Sequence, residues 1–443
     1  MATENRKPKT ENRHFRIITF GCKVNQVDSA GMAQELMDLG WGGVPEGCAP
    51  NLLVVNTCTV TGRADQQARQ AVRRLAREFP DVPVWVTGCY AQRAPGEVAA
   101  LPGVRLILGN REKVGLSRWL AAPGREGGPR LAVGALPEKE PFPAPLARHF
   151  PGQTRARLKV QEGCSHHCSY CIVPQVRGPA RSLPPDAVMA ACQGLADLGY
   201  QEVVLTGVDL GQYGRDLEPS LSLAGLLGSL STRAWPFRLR LSSLEPQELS
   251  PALLRELAAC PNLCPHFHLP LQSGAAPVLA AMHRPYSPED FLERVLELHR
   301  LFPDAALGLD ILVGFPGESD ADFAATRDLV QALPVTYLHV FPFSPRPGTP
   351  AAGMPPLPPG EIRTRAKIMR DLGRAKKQQF YRSQVGKVAE VLVEGPAPQA
   401  GWLQGLSANY LRVCLPGPPA WQNRRLKTRF LKIQGEMMVG EVV

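Results

Sequence analysis

The pattern of apolar and polar positions in the N-terminal quarter of the chain alternates between short β-rich runs and longer amphipathic segments. Residues 15–22, 51–58 and 82–89 are the β-rich runs, and helical patterns lie between them. Strands that alternate with helices form a parallel sheet with crossover helices. We therefore expect an N-terminal parallel α/β domain over residues 14–120.

The same alternation returns over residues 150–382, where six further β-rich runs have helical patterns between them. These runs cover residues 155–161, 202–207, 237–243, 266–271, 308–314 and 335–341. Six βα units predict an open (β/α)6 partial TIM barrel, in which functional residues follow the C-terminal ends of the strands. Residues 121–149 are rich in Pro and Gly without a sustained period, so we interpret them as a linker.

Residues 383–443 change to short β-rich runs separated by Gly and Pro turns, after a basic helical pattern over residues 361–382. This pattern favours a small antiparallel β-barrel. The chain is thus predicted to be an α/β protein of three domains. Its length of 443 residues agrees, because one hydrophobic core seldom serves so long a chain.

Charge and cysteine content narrow the class of protein. The formal net charge of +10 suits a polyanionic partner such as nucleic acid, although a merely basic surface would give the same value. The sequence has no run of eighteen apolar residues and no early apolar segment, so we expect a cytoplasmic protein without a membrane partner. The eleven Cys are grouped like metal ligands, which predicts reduced thiols.

A tight cysteine triplet follows the first strand of the predicted partial barrel. Cys164, Cys168 and Cys171 have a CxxxCxxC spacing. Iron–sulfur clusters and structural zinc sites usually take four ligands. A triplet without a nearby fourth Cys therefore predicts a metal site with one open position. A zinc site completed by His166 or His167 remains the alternative.

Each β-rich run of the N-terminal domain ends in a cysteine, namely Cys22, Cys58 and Cys89. Because the C-terminal ends of parallel strands meet at one edge of a sheet, we expect these thiols to converge. A single such Cys would ordinarily be buried and inert. Three at equivalent positions predict a second three-thiolate site with an open position.

The segments around both triplets resemble those of the radical S-adenosylmethionine (SAM) methylthiotransferase family. They are Gly21-Cys-Lys-Val-Asn-Gln, Asn56-Thr-Cys-Thr-Val-Thr, Thr87-Gly-Cys-Tyr-Ala-Gln and Gly163-Cys-Ser-His-His-Cys-Ser-Tyr-Cys. The resemblance implies two 4Fe-4S clusters. One, on the N-terminal triplet, holds the sulfur to be transferred, and the other, on the central triplet, binds and cleaves SAM. Two SAM molecules are used per turnover, one to methylate the sulfur and one to form the radical.

The resemblance also implies a substrate and partners. Gly-Cys-Lys-Val-Asn-Gln and the segment Ser344-Pro-Arg-Pro-Gly-Thr look most like the branch that adds a methylthio group to C2 of N6-threonylcarbamoyladenosine at position 37 of tRNA, next to the anticodon. Branches that modify isopentenyladenosine in tRNA or an aspartate of a ribosomal protein are alternatives. The implied electron donor is a protein such as flavodoxin or ferredoxin, and the implied assembly is a monomer.

A hypothesis of another class is a non-enzymatic RNA-binding iron–sulfur or zinc protein, such as a redox sensor. It would bind metal and RNA without ever cleaving SAM.

Three residues near the central triplet are candidate SAM ligands in this resemblance: Tyr170, Gly207 and Glu245. Tyr170 precedes the third Cys, whereas Gly207 and Glu245 follow the second and third strands of the partial barrel. Glycine permits close approach of the backbone to a ligand, although it serves turns equally well. We assign no catalytic residue beyond the cluster ligands.

Seven residues are candidate RNA contacts. Two guanidinium groups just past the cluster loop could pair with phosphate, or could belong to an ordinary charged loop. The C-terminal barrel resembles the RNA-binding TRAM domain and combines aromatic with basic side chains, as suits RNA, although it could also be purely structural. The candidates are Arg177, Arg181, Trp402, Tyr410, Arg412, Arg424 and Arg425.

Overall fold

The computed structural model describes residues 13–120, 128–136, 142, 150 and 152–443. The chain forms two compact units. Of the described residues, the first comprises 13–120, 128–136 and 175–178, and the second comprises 142, 150, 152–174 and 179–443.

The first unit is built on a parallel sheet. Its elements are β1 (His14–Thr19), α1 (Lys23–Asp38), β2 (Gly42–Gly43), β3 (Leu52–Thr57), α2 (Gly62–Glu78), β4 (Val84–Gly88), α3 (Cys89–Arg93), α4 (Pro95–Ala99), β5 (Val104–Leu108) and β6 (Arg130–Ala132). The strand order is β2-β1-β3-β4-β5-β6, and every pair is parallel. The predicted parallel α/β domain is confirmed.

Strand β3 shows how the apolar pattern produces this layering. It is buried along its whole length, because helices cover both faces of the sheet. Leu53 and Val55 pack with α2 on one face, and Leu52 and Val54 pack with α1 on the other. The side chain of Thr61 caps α2 by accepting a hydrogen bond from the amide of Ala64, which fixes where that helix begins.

Strand β6 lies inside the segment that the sequence pattern assigns to a linker. It pairs with β5 and extends the sheet by one strand. A run of three residues is too short to show an alternating period, so composition alone hid it. Most of the remaining linker, including residues 121–127 and 143–149, lies outside the described residues.

The second unit contains the predicted partial barrel. Its elements are β7 (Arg155–Lys159), β8 (Gln161–Glu162), β9 (Arg181–Ser182), α6 (Pro185–Asp197), β10 (Glu202–Thr206), α7 (Leu223–Ser231), β11 (Arg238–Leu241), α8 (Pro251–Ala259), β12 (His266–Gln272), α9 (Ala276–Ala281), α10 (Pro288–Leu301), β13 (Ala306–Val313), α11 (Asp320–Ala332), β14 (Tyr337–Pro342) and α12 (Pro359–Gln384). Helix α5 (Val173–Arg177) begins in this unit and ends in the first.

The six main strands form two parallel three-stranded sheets. One has the order β11-β10-β7 and the other β12-β13-β14. A parallel bridge between Leu239 and Leu263 lies where the two sheets adjoin. The strands and the helices between them confirm the open (β/α)6 arrangement.

The C-terminal residues fold as the predicted small β-barrel. Its strands are β15 (Val388–Pro396), β16 (Trp402–Ser407), β17 (Arg412–Pro416), β18 (Arg425–Gln434) and β19 (Met437–Val442). They close in the order β15-β16-β17-β19-β18. The pairs are antiparallel as predicted except β17–β19, which is parallel because the connection between these two strands passes through β18. Phe430, Val391 and Leu415 lie fully buried in its core.

The small barrel packs on the N-terminal ends of the partial-barrel strands. Arg238 and Arg240 of β11 are buried, and both donate hydrogen bonds to the carboxylate of Glu202. They also donate to backbone carbonyls of Leu406 and Ala408 in the small barrel. Burial would raise the pKa of Glu202, but the two guanidinium groups outweigh it and lower that pKa to about 2. The small barrel therefore does not cover the C-terminal ends of these strands, where the loop with the central cysteine triplet is expected.

Among the helices of the described residues, none is both long enough and apolar enough to cross a bilayer.

Candidate metal centres

The three N-terminal cysteines follow neighbouring strands. Cys22 caps α1 just after β1, Cys58 follows β3, and Cys89 begins α3 directly after β4. Because β1, β3 and β4 are adjacent, their C-terminal ends bring the thiols to one edge. Burial raises the pKa of the Cys58 thiol to about 12, and the neighbouring Cys89 and Cys22 contribute to this rise. The predicted convergence is therefore observed.

The backbone segments that carry the three N-terminal cysteines approach one another closely, and two glycines permit this approach. Gly21 has a φ of 97°, and a Cβ added there would lie 2.6 Å from Cβ of Cys58. Gly88 has a φ of 93°, and an added Cβ would lie 2.4 Å from the carbonyl oxygen of Thr57. Any larger residue would both strain the backbone and push the cysteine-bearing turns apart.

Two N–H donors point at the sulfur of Cys89. Nε of Arg177 lies 3.3 Å from Sγ, and Nδ2 of Asn110 lies 3.6 Å from it. Arg177 also donates to Asn25 and, at 3.3 Å, to Asp28. All of these residues belong to the first compact unit. A cationic N–H group and an amide N–H group therefore both face this sulfur.

This position of Arg177 differs from its predicted role as a phosphate ligand. The residue is only 3% exposed, and its guanidinium group is held by protein groups. The basic character of the segment was visible in the sequence, but its burial was not.

The central triplet lies on the loop that follows β8. Nε2 of Gln212 lies 3.5 Å from Sγ of Cys164, and Nη1 of Arg284 lies 3.5 Å from Sγ of Cys168. Burial raises the pKa of both Cys164 and Cys171 to about 12; Cys168 adds to the rise in both, and Cys171 adds to that of Cys164. The three sulfurs are therefore close enough to interact.

The candidate SAM ligands surround this loop. Glu245 forms an ion pair with Arg284, whose guanidinium group thus joins a carboxylate to the sulfur of Cys168. Tyr170 packs edge-on against Phe315, with ring centroids 6.5 Å apart. An added Cβ at Gly207 would lie 2.8 Å from Oε1 of Gln161, so the backbone here is tightly packed. Their roles as SAM ligands stay predictions.

The zinc alternative for the central triplet finds no support from His166, one of its two candidate histidine ligands. Nε2 of His166 lies 3.2 Å from Asp209 and 3.7 Å from Glu248, and these carboxylates raise the pKa of His166 to about 10. Tetrahedral zinc would hold its sulfur ligands about 3.8 Å apart. Across the described residues, neither cysteine triplet forms a group whose ligand atoms all lie within 4.8 Å of one another.

The residues present fit an iron–sulfur cluster at each triplet. Each site offers three Cys sulfurs that lie farther apart than the ligands of a single ion would, and N–H donors contact these sulfurs. At the central site, Arg284 also carries a positive charge toward a cluster of net negative charge. Bound metal would deprotonate the thiols of Cys58, Cys164 and Cys171, whose pKa values are raised by burial.

Three of the sulfur-contacting residues were not singled out from the sequence. Gln212 lies in the loop after the second barrel strand, where functional residues were expected. Arg284 lies beyond α9, away from the end of a strand. Asn110 had no such signal, because its contact depends on the tertiary fold.

The other candidate RNA residues have varied surroundings. Arg181 pairs opposite Glu162 in the β8–β9 ladder, and Trp402 of β16 is half-buried. Arg425 donates to Gln201 and to the carbonyl of Pro236, so it helps to attach the small barrel. Arg412 and Arg424, the remaining basic candidates, are exposed.

Tyr410 has a φ of 68°, and its ring stacks on His266 of β12 with centroids 3.9 Å apart. It also lies 5.1 Å from the guanidinium carbon of Arg240. The ring is therefore engaged by the partial barrel, whereas the sequence suggested a surface for stacking on bases.

Two protein-family profiles match the two parts of the chain that carry the cysteine triplets. Residues 14–109 match the profile described as "Uncharacterized protein family UPF0004", and residues 158–330 match the radical SAM superfamily. The first match covers the N-terminal triplet and the second covers the central one.

Curated relatives match over nearly the whole chain. The threonylcarbamoyladenosine tRNA methylthiotransferase MtaB of Bacillus subtilis is 33% identical over 94% of this chain and 93% of its own. The tRNA-2-methylthio-N(6)-dimethylallyladenosine synthase of Moorella thermoacetica is also 33% identical, over 97% of this chain and 98% of its own.

Among solved structures, the radical SAM methyltransferase TsrM of Kitasatospora setae aligns with a TM-score of 0.55. The alignment has 17% identity and covers 77% of each chain. At this identity the likeness supports the fold alone.

Proposed function

Because the chain belongs to the radical SAM tRNA methylthiotransferase family, we propose that it adds a methylthio group to C2 of N6-threonylcarbamoyladenosine at position 37 of tRNA, next to the anticodon. The observation that carries this proposal is the pair of separate three-cysteine sites, each with N–H donors aimed at its sulfurs. Five of the relatives, including those of Rickettsia prowazekii and Aquifex aeolicus, bear the threonylcarbamoyladenosine name.

The reaction explains why two metal centres are needed. C2 of adenine carries an aromatic C–H bond with no acidic proton for a general base to remove. Two 4Fe-4S clusters and two SAM molecules supply, when bound, a radical at the central site and a transferable sulfur at the N-terminal site.

The chain's own residues hold these groups and set their charge. Cys164, Cys168 and Cys171 provide the ligands of the central cluster, and the positive charge of Arg284 lies between Cys168 and the carboxylate of Glu245. Cys22, Cys58 and Cys89 provide the ligands of the N-terminal cluster. Each set leaves one metal position without a cysteine, as substrate or sulfur binding requires.

Tyr170, Gly207 and Glu245 are our candidates for SAM contacts. Glu245 supports this assignment because it forms an ion pair with Arg284, whose guanidinium group also contacts the sulfur of Cys168. The close packing of Gly207 against Gln161 is compatible with a backbone contact to the cofactor.

The organisation of the chain supports further proposals. We place the N-terminal domain at residues 14–120 together with strand β6, the radical SAM core at 150–382 and a TRAM-type RNA-binding barrel at 383–443, with the rest of residues 121–149 as a linker. Exposed Arg412 and Arg424 on the small barrel support a contact with the phosphates of tRNA.

The proposed partners follow from the chemistry. Reductive cleavage of SAM consumes an electron, so we propose a donor such as flavodoxin or ferredoxin. The cysteine ligands of both sites come from one chain, which supports a monomer. A tRNA substrate and eleven Cys that all remain free thiols support a cytoplasmic location.

Analysis of tRNA nucleosides by mass spectrometry tests the proposal. Deleting the gene should remove 2-methylthio-N6-threonylcarbamoyladenosine and leave its unmethylthiolated precursor in place. Wild-type protein supplied in trans should restore the product, whereas the Cys168→Ala variant should not. Loss of the methylthio form of isopentenyladenosine instead would assign the chain to the other tRNA branch.

A further inference from the structure

Three side chains inside the partial barrel form a cluster apart from the six cysteines. His268 lies on β12, Asp310 on β13 and His339 on β14, which are neighbouring strands. Asp310 is directly opposite His339, and it is opposite Pro270, two residues along β12 from His268. Side chains two residues apart share one face of a strand, so all three lie on the same side of the sheet.

The ligand atoms of the three side chains converge. One imidazole nitrogen from each His and one carboxylate oxygen all lie within 4.8 Å of one another. Nε2 of His268 is 3.0 Å from Oδ1 of Asp310, and Nδ1 of His339 is 3.3 Å from the same oxygen. Ligands of one metal ion are separated by about 3 Å, which follows from metal–ligand distances near 2.1 Å.

These atoms are close together but poorly aligned for hydrogen bonds. Nε2 of His268 and Oδ1 of Asp310 are buried, yet neither has an aligned hydrogen-bond partner in the described part of the chain. The two atoms are 3.0 Å apart, a separation that suits two ligands of one ion. Leaving both without a partner is costly, because each has lost its water.

The surroundings of His268 complete a ligand arrangement. Its other ring nitrogen, Nδ1, lies 2.8 Å from Oγ of Ser243, which fixes the ring and leaves Nε2 to face Asp310. Metal-binding histidines commonly have their second nitrogen held in this way. His339 is 55% exposed and lines a cavity of about 600 Å³, which gives an ion a route to the cluster.

We propose that His268, Asp310 and His339 bind a divalent first-row transition-metal ion. Two imidazole nitrogens and one carboxylate oxygen are a donor set that suits Zn²⁺ or Fe²⁺, with the remaining positions open to water. The ion would tie β12, β13 and β14 together within the barrel. The inference does not depend on the tRNA reaction, because it concerns only side chains of this chain and a metal ion.

Zinc binding to the cluster-loaded protein tests the proposal. The reconstituted protein is dialysed anaerobically against micromolar Zn²⁺, passed over a desalting column and assayed for zinc and iron. The wild type should retain about one zinc per chain beyond its iron. Asp310→Asn and His339→Ala should each lose that zinc with their iron content unchanged. The matched control His299→Ala, on α10, should keep it.

Thermal unfolding gives a second readout that does not depend on metal retention through a column. Zn²⁺ should raise the melting temperature of the wild type and of His299→Ala but not of Asp310→Asn, since a ligand stabilises only a protein that binds it in the folded state. Because His339 is half exposed, His339→Ala keeps the test valid if Asp310→Asn fails to fold. A wild type that binds no zinc beyond its iron, or variants that bind as much as the wild type, would overturn the proposal.

Discussion

The two three-cysteine sites reach a similar arrangement by opposite routes. The central site takes its ligands from eight consecutive residues of one loop, whereas the N-terminal site takes Cys22, Cys58 and Cys89 from the ends of three neighbouring strands. In each, an arginine and an amide side chain point N–H groups at the sulfurs. The loop site needs only local spacing, while the strand-end site needs the whole sheet to form first.

This difference predicts that each site can lose its iron without affecting the iron content of the other. Replacing Cys164, Cys168 and Cys171 together by Ala should leave about four irons per chain, and so should replacing the three N-terminal cysteines, since each set holds one four-iron cluster. Iron analysis after anaerobic reconstitution measures this. A triple variant that kept about eight irons, or a wild type that never exceeded about four, would show that two separate cysteine sites do not exist.

The strand-end site should also be the one that is sensitive to backbone packing. Gly21→Ala places a Cβ 2.6 Å from Cβ of Cys58 at a φ of 97°, so iron content should fall from about eight toward about four. Gly43→Ala is the matched control, because an added Cβ there meets no atom within 4 Å. Unchanged iron in Gly21→Ala would mean that the turn adapts without moving Cys58.

The arginines allow a finer test of the comparison. Arg177→Met should make the reduction potential of the N-terminal cluster more negative, and Arg284→Met should do the same to the central cluster only. In each case a cation and an N–H donor to sulfur are lost, which disfavours the more negative reduced state. Redox titration followed by electron paramagnetic resonance measures both potentials. The control is Arg255→Met on the exposed face of α8, and an equal shift of both clusters in either variant would contradict the assignment.

The smallest effect is expected outside both sites, on the small barrel. Arg412→Ala and Arg424→Ala should each reduce the salt dependence of tRNA binding by about one unit of slope, because each removes one phosphate contact. Cluster content should not change. Deleting the barrel is a poorer test, since Arg238 and Arg240 would lose the carbonyl groups that they bind in it. If the salt dependence of tRNA binding in both variants equals that of the wild type, the small barrel has a structural role and these arginines do not contact phosphate.

Much of this organisation could be predicted from the sequence. Alternating strand and helix patterns gave the parallel sheet and the partial barrel, since both depend on local periodicity. The convergence of the strand-end cysteines followed from topology, because parallel strands end at a common edge. Strand β6 was missed because three residues show no period.

The surroundings of individual side chains were harder to predict. Arg177 and Tyr410 both looked suited to RNA, yet Arg177 is buried at Cys89 and Tyr410 stacks on His266. Charge and aromaticity are visible in a sequence, whereas burial depends on segments distant along the chain. For the same reason the sequence did not reveal the cluster of His268, Asp310 and His339.

The central claim is that the loop site makes the radical and the strand-end site carries the sulfur. Parallel assay of 5′-deoxyadenosine and methylthiolated nucleoside in Cys58→Ala and Cys168→Ala tests it most directly. Cys58→Ala should still cleave SAM reductively and form no methylthiolated nucleoside, while Cys168→Ala should lose both activities. Radical formation that is retained in Cys168→Ala and lost in Cys58→Ala would contradict the account by exchanging the roles of the two sites.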